Sequence, residues 1–235
     1  MVGLHMCNVC INHIFYADDL CIMSSSPTGL QVLLDICTDY AIANDIVFNH
    51  KKSMYIVFKP DRFKLSCPNV FIDGSPLAMV ENAKYLGVTL NDRCRDDNDI
   101  RRHLRSFYMR ANTVIRKFYN CTLDVKLTLF RSYCLPSYCS HLWYRYNKCS
   151  YTKVCVAFNN NFRRILGFSK RDSASFMYAT NSIDNFDCFM RKNIYNFIQR
   201  LYSIDNDLVK SVLTCTMFIV DGMWSKWTNL LYTHS

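Results

Sequence analysis

The stretch that most constrains this chain is His13-Ile-Phe-Tyr-Ala-Asp-Asp-Leu-Cys-Ile-Met23. Two short apolar runs, Ile14–Tyr16 and Leu20–Met23, flank a bare carboxylate pair, Asp18 and Asp19. Runs this short, apolar at successive positions, predict buried strands, and the acidic pair between them predicts their turn. Two negative charges at the tip of a buried hairpin are costly unless a cation meets them. Hard oxygen ligands in that position suit Mg²⁺ or Mn²⁺, and paired ions of this kind clamp in-line phosphoryl transfer. The plainer alternative is that Asp-Asp is only a polar turn.

Composition bounds the remainder. With 235 residues, half of them apolar and 14% aromatic, the chain can bury a substantial core. No apolar run approaches the length of a membrane span. The thirteen cysteines are scattered and odd in number. That pattern argues for reduced thiols inside a cell, nuclear or cytoplasmic, over a disulfide framework. Cys7-x-x-Cys10, followed by His13, lacks a fourth zinc ligand. Cys134, Cys139, His141 and Cys149 are not in a zinc-knuckle spacing, so core thiols are expected.

Charge is unevenly placed. The net charge is +9, yet residues 1–50 contain no Lys or Arg and five Asp. Residues 51–150 hold 18 basic and eight acidic side chains. An acidic head followed by a basic body suits a metal site that feeds a nucleic-acid track.

Along the chain, Ser24-Ser-Ser-Pro-Thr28 reads as a helix entry. Leu30, Leu33, Leu34, Cys37, Tyr40 and Ala41 then share one helical face, with Asp35 and Asp39 solvated. Ile46–Phe58 predicts strand, polar turn, strand. Val70–Val80 predicts a hairpin turning at Asp73-Gly74, and Lys84–Leu90 a further strand. After a polar joint, Ile100, Leu104, Phe107, Tyr108, Ala111, Ile115 and Phe118 form a helical stripe. Arg101, Arg102, Arg105, Arg110, Arg116 and Lys117 fill the other faces. A second helix is expected over Thr122–Tyr133, broken near Pro136, then helices over Val154–Gly167, Asp187–Tyr202 and Leu208–Leu213. Trp224 and Trp227 read as core residues.

Several of these segments match one family in order. Tyr16-Ala-Asp-Asp19 resembles the Tyr-x-Asp-Asp motif of reverse transcriptases, and the segments C-terminal to it are similar to the later motifs of the non-LTR (LINE-type) retrotransposon enzymes. The resemblance makes Asp18 the main metal ligand, Asp19 its neighbour, and Tyr16 a residue near the primer end. Phe48-Asn-x-x-Lys-Ser53 resembles the motif after the palm helix, whose lysine, here Lys52, lies near the leaving pyrophosphate. Lys51 is the alternative in register, and an exposed turn lysine the plainer reading. Tyr85-Leu-Gly-Val88 resembles the block that grips the primer end, through Tyr85, Leu86 and Gly87. A strand with a bulge is the plainer reading there. The basic helix looks like a polymerase thumb, with Arg101, Arg102 and Arg105 on the nucleic-acid backbone. Tyr138–Trp143 resembles a thumb element in which Cys139 replaces glycine. Phe162-Arg-Arg-Ile-Leu-Gly167 is similar to the next thumb helix and offers Arg163 and Arg164 as backbone contacts.

The fold implied is α+β: a partial polymerase palm of β-hairpins with one packing helix over residues 1–92, a helical thumb over 93–168, and a C-terminal helical extension over 169–235. The implied reaction is template-directed transfer of a deoxynucleotide to a primer 3′-hydroxyl. Its partners would be an RNA template and a DNA primer, its cofactor Mg²⁺ or Mn²⁺, and no membrane is expected. Residues 1–17 contain no Asp or Glu, so the family's earlier catalytic Asp has no counterpart here. A fragment inactive alone is therefore expected, with an upstream segment or another chain pairing along the palm edge. A non-catalytic nucleic-acid-binding remnant is the alternative.

Overall fold

The computed structural model describes residues 2–6, 9–60, 67–135, 139–215 and 222–232. The chain is α+β, with helices and small, mostly antiparallel sheets. It divides into two units, one of residues 1–83, 91–94 and 204–221, the other of residues 84–90, 95–203 and 222–235.

The first unit is built from strand pairs around one long helix. β1 (Leu4–Met6) pairs with β2 (Val9–Ile11) in an antiparallel arrangement. Cys7 lies outside the described residues. β3 (His13–Tyr16) pairs with β4 (Asp19–Ile22), with Tyr16 opposite Asp19. α1 (Pro27–Ala43) begins as its sequence predicts: the Ser26 hydroxyl accepts from the Gly29 amide, and Pro27 fills the first turn. Leu34 and Ala41 are buried on it, but Tyr40 is exposed beside Val32 and Ile36.

Ile46–Asn49 is not a strand, correcting the sequence reading. The Ile46 amide instead donates to the Ala41 carbonyl at 2.9 Å and leads the chain off the helix end. Only β5 (Met54–Tyr55) forms after the turn. β6 (Phe71–Ile72) and β7 (Ser75–Pro76) make the expected hairpin. Asp73 and Gly74, at φ 48° and 68°, occupy the left-handed positions of its two-residue turn. β8 (Ala78–Met79) returns parallel to β5. Leu34, Tyr55, Val70 and Ile72 form the small core. Gln31 ties helix to hairpin, its amide donating to the Phe71 carbonyl and accepting from the Phe71 amide. α7 (Asp207–Thr214), capped by Asn206, clusters with this unit.

The second unit is helical. α2 (Asp97–Lys117), α3 (Leu123–Leu129) with a π-helical turn at Phe130–Cys134, and α4 (Lys148–Leu166) carry most of its core. Gly167, at φ 79°, ends α4 in the left-handed cap. α5 (Ala174–Thr180) and α6 (Phe186–Ser203) complete the core. Phe107, Phe130, Phe158 and Phe162 pack with Met177, Tyr178, Phe186 and Met190 in one cluster. The apolar faces of α5 and α6 are buried against α4. α8 (Met223–Tyr232) docks through Trp227, fully buried, whose indole N–H donates to the His141 carbonyl at 2.9 Å. Lys226 lies 4.7 Å over the Tyr146 ring. Among the described residues no helix is long and apolar enough to cross a membrane.

Candidate functional site

The carboxylate hairpin forms, but it is not buried. β3 and β4 make a sheet of two strands only. With no third strand beside it among the described residues, every residue of β3 is exposed, Phe15 by 64% and Tyr16 by 65%. Ala17 takes φ 51° to close the turn, and Asp18 and Asp19 both face solvent. Burial of this hairpin was the expectation, and the short sheet is the reason it fails. Both carboxylates are accessible to a hydrated cation. Among the described residues, no group of three or more His, Cys, Asp or Glu side chains is arranged so that it could hold a metal ion. Asp18 and Asp19 are thus two oxygen donors, not a complete ligand set for Mg²⁺ or Mn²⁺.

Lys52 sits in an exposed turn built by Asn49. The Asn49 carbonyl accepts from the Lys52 and Ser53 amides, and its side-chain oxygen accepts from the Lys52 amide at 3.2 Å. Phe48 anchors the turn against the small core. No hydrogen bond or ion pair joins Lys52 to Asp18 or Asp19 among the described residues.

Lys84–Leu90 is not one strand. β9 (Asn82–Tyr85) and β10 (Val88–Asn91) form a hairpin, and Leu86-Gly87 is its two-residue turn. Both turn residues are left-handed, at φ 44° and 82°. Glycine takes that region freely, but leucine does not. The Tyr85-Leu-Gly-Val88 block is therefore a tight, strained turn.

At its N-terminal end α2 is fixed by carboxylates. Asp99, 1% exposed, accepts from the Thr89 amide at 2.9 Å, the Trp143 indole at 2.9 Å and the Arg102 guanidinium at 2.8 Å. Asp96 accepts from the Tyr144 and Arg145 amides, at 2.8 and 2.7 Å. Burial pushes its carboxyl up, against those two amide bonds, and Asp99 and Asp97 add to the rise. Asp97 accepts from the Asn147 amide and the Ser150 hydroxyl. His103 stacks edge-on against Trp143, and burial, helped by Arg110 and Arg102, holds its pKa down to about 4.

These bonds sort the arginines. Arg102 is committed to Asp99. Arg163 donates to the Asp172 carbonyl at 3.0 Å and is half-buried. Arg164 is exposed, with a long contact of 3.4 Å to Asn161. Among the described residues Arg101 reaches only its neighbour Asn98, and Arg101, Arg105, Arg116 and Lys117 are exposed. The structure thus leaves Arg101, Arg105 and Arg164 of the sequence candidates open to a polyanion and ties down Arg102 and Arg163. Arg116 and Lys117 extend the open set. Tyr138 and Pro136 lie outside the described residues. Every described cysteine is a free thiol. Cys134 is buried, and burial pushes its thiol up to about 11, as a core residue requires.

Compared with known protein families and with curated proteins, the sequence matches none.

Proposed function

We propose that this chain is a nucleic-acid-handling fragment of a non-LTR retrotransposon reverse transcriptase, with a palm segment followed by a helical thumb. The observation that carries the proposal is Tyr16-Ala-Asp-Asp19 at the open tip of a hairpin, followed in order by the Lys52, Tyr85-Leu-Gly-Val88 and Arg-rich segments. A carboxylate pair in solvent can meet a hydrated cation and a polyphosphate without any cost of burial. Asp18 and Asp19 would hold Mg²⁺ or Mn²⁺ weakly. By the resemblance, Lys52 would face the leaving pyrophosphate; the motif of Tyr16 and, separately, that of Tyr85, Leu86 and Gly87 are ones the family uses near the primer end. An RNA template, a DNA primer and a deoxynucleotide are the partners this implies. Two carboxylates alone do not build a two-metal clamp, so the chain by itself binds and does not extend. The non-catalytic, nucleic-acid-binding remnant is the second reading, and the lack of a third ligand among the described residues favours it.

The test is primer extension by the purified chain on an RNA template with Mg²⁺ and Mn²⁺, alongside binding of the same primer–template followed by anisotropy. Binding without extension is expected, with affinity falling steeply as salt rises. Extension lost in Asp18→Ala would show a competent enzyme and overturn the claim of inactivity. No binding at low salt would overturn the whole proposal.

A further inference from the structure

We propose that the exposed face of α2 is a platform for an unpaired nucleic-acid strand, not for a duplex; the inference rests on the nucleic-acid reading above and narrows its ligand. Arg101, Arg105, Tyr108, Asn112 and Arg116 recur every three or four residues, and all are exposed. At 3.6 residues per turn they fall within about 100° of arc, with Met109 at the margin. The stripe runs for about 22 Å along the helix. Its opposite face, carrying Ile100, Phe107, Ala111 and Val114, is buried in the core.

Two properties of this stripe select its ligand. The first is charge. No carboxylate lies within ion-pair distance of Arg105 or Arg116 among the described residues, whereas Arg102 on the neighbouring face is paired with Asp99. Such uncompensated guanidinium groups along one line suit a line of phosphates. The second is the set of apolar surfaces between those charges. Tyr108 is 37% exposed, Met109 65% and Tyr119, just past the helix end, 75%. Lys126 lies 5.7 Å from the Tyr119 ring centroid. A duplex hides its base faces in the stack and offers this surface only sugar and phosphate. An unpaired strand can turn its bases onto Tyr108, Met109 and Tyr119 while its phosphates meet the arginines. Asn112, between Tyr108 and Arg116, presents both a donor and an acceptor to a base edge. RNA and DNA strands share this chemistry, since neither base face nor phosphate distinguishes them.

The full chain is titrated with a short labelled oligouridylate, its abasic counterpart, the DNA strand of matching sequence, and a blunt RNA–DNA duplex of equal length. The uridylate strand should bind about tenfold more tightly than the abasic strand, the gain that stacking on exposed aromatics gives. Tyr108→Ala with Tyr119→Ala should erase that difference and leave abasic binding unchanged. Arg105→Ala with Arg116→Ala should weaken all four ligands and flatten the salt slope. The RNA and DNA strands should bind within about threefold of each other, because stacking is tolerant of the strand. All four substitutions are at exposed positions, and an unchanged thermal unfolding curve confirms that each variant is folded. Equal binding of abasic and base-bearing strands, tighter binding of the duplex, or a large preference for RNA over DNA overturns this inference and leaves the nucleic-acid reading standing. Failure of every ligand to bind removes both.

Discussion

Asp99→Ala should be among the most damaging single substitutions in the helical unit. The Asp99 side chain is 1% exposed and gathers three donors of different kinds: a backbone amide, an indole and a guanidinium. Removing it strands the Trp143 indole and the Thr89 amide away from water, at about 1–3 kcal/mol each. The Arg102 side chain, 33% exposed, can recover part of its hydration, so its share lies at the low end for a broken pair. With about 3 kcal/mol for Arg102, the sum is about 5–9 kcal/mol. Asp99→Asn keeps the volume and one acceptor oxygen but turns an N–H towards a donor, and should cost about half as much. Urea unfolding followed at far-ultraviolet wavelengths measures both, because the helical signal belongs mostly to this unit. Fluorescence of Trp143, whose N–H bond is lost, reports the local change, read against the buried Trp227. A loss below about 1 kcal/mol for Asp99→Ala, or equal losses for the two variants, would refute the bookkeeping. It would mean that Trp143 and Thr89 find other acceptors.

Three further outcomes rest on single positions. His103 has a folded pKa near 4 against an ordinary 6.5, so the unfolded chain binds the proton first; stability is complete above pH 6.5 and should fall by up to about 3 kcal/mol as pH drops towards 4. Unfolding curves across that range check it, and His103→Gln should remove its share of the dependence and leave that of His141, which burial and Arg200 also hold at about 4. Leu86→Gly should raise stability by about 1 kcal/mol by relieving a left-handed leucine, while Gly87→Ala, at φ 82°, should lower it by a similar amount. Thermal unfolding of the two variants decides this, and a loss in Leu86→Gly would mean that the side chain packs more than it strains. Trp227→Ala should cost about 3–5 kcal/mol and free α8 for proteolysis; protection equal to the parent would show that Lys226 over Tyr146 holds the helix alone.

What the sequence made legible depends on how local the determinant is. α2 announces itself through a strong apolar period, and the Asp73-Gly74 turn through its two residue types. The Leu86-Gly87 turn carried a comparable signal, Gly between two strand-formers, but the run reads equally well as one strand. The Asp99–Arg102 pair lies at i,i+3, a spacing that could have removed Arg102 from the open arginines. Nothing local could place Asp96, Asp97 and Asp99 against the Trp143–Ser150 segment, since their partners lie 44 to 53 residues away. Tyr40 and Tyr108 fit the helical period yet lie outside the buried stripe, because a tyrosine at a stripe's margin turns its hydroxyl to water. The open edge of the carboxylate hairpin was legible only in part, for a related reason. A strand's burial depends on what pairs beside it and packs over it, and its own residues state only that it could be buried.

That exposed hairpin leads to the last prediction. Two short strands alone are marginal in water. Native edges are usually blunted by lysine, proline or a bulge. Among His13, Ile14, Phe15 and Tyr16 there is no proline and no lysine or arginine, and the pairing with β4 is regular through all four. Exposed Ile14 and Phe15 flank an unpaired row of backbone groups. The helical unit packs Phe107, Phe130, Phe158, Phe162 and Phe186 into its own core, and self-association should begin at this edge. Multi-angle light scattering over a concentration series should show the parent chain growing in mass, and Phe15→Lys, which places a charge on that edge, should keep it monomeric. Asp18→Asn with Asp19→Asn should act in the opposite sense by removing charge from the hairpin tip. Identical association of the parent and Phe15→Lys would place the adhesive surface elsewhere, with the exposed Val32, Ile36 and Tyr40 of α1 as the next edge to charge.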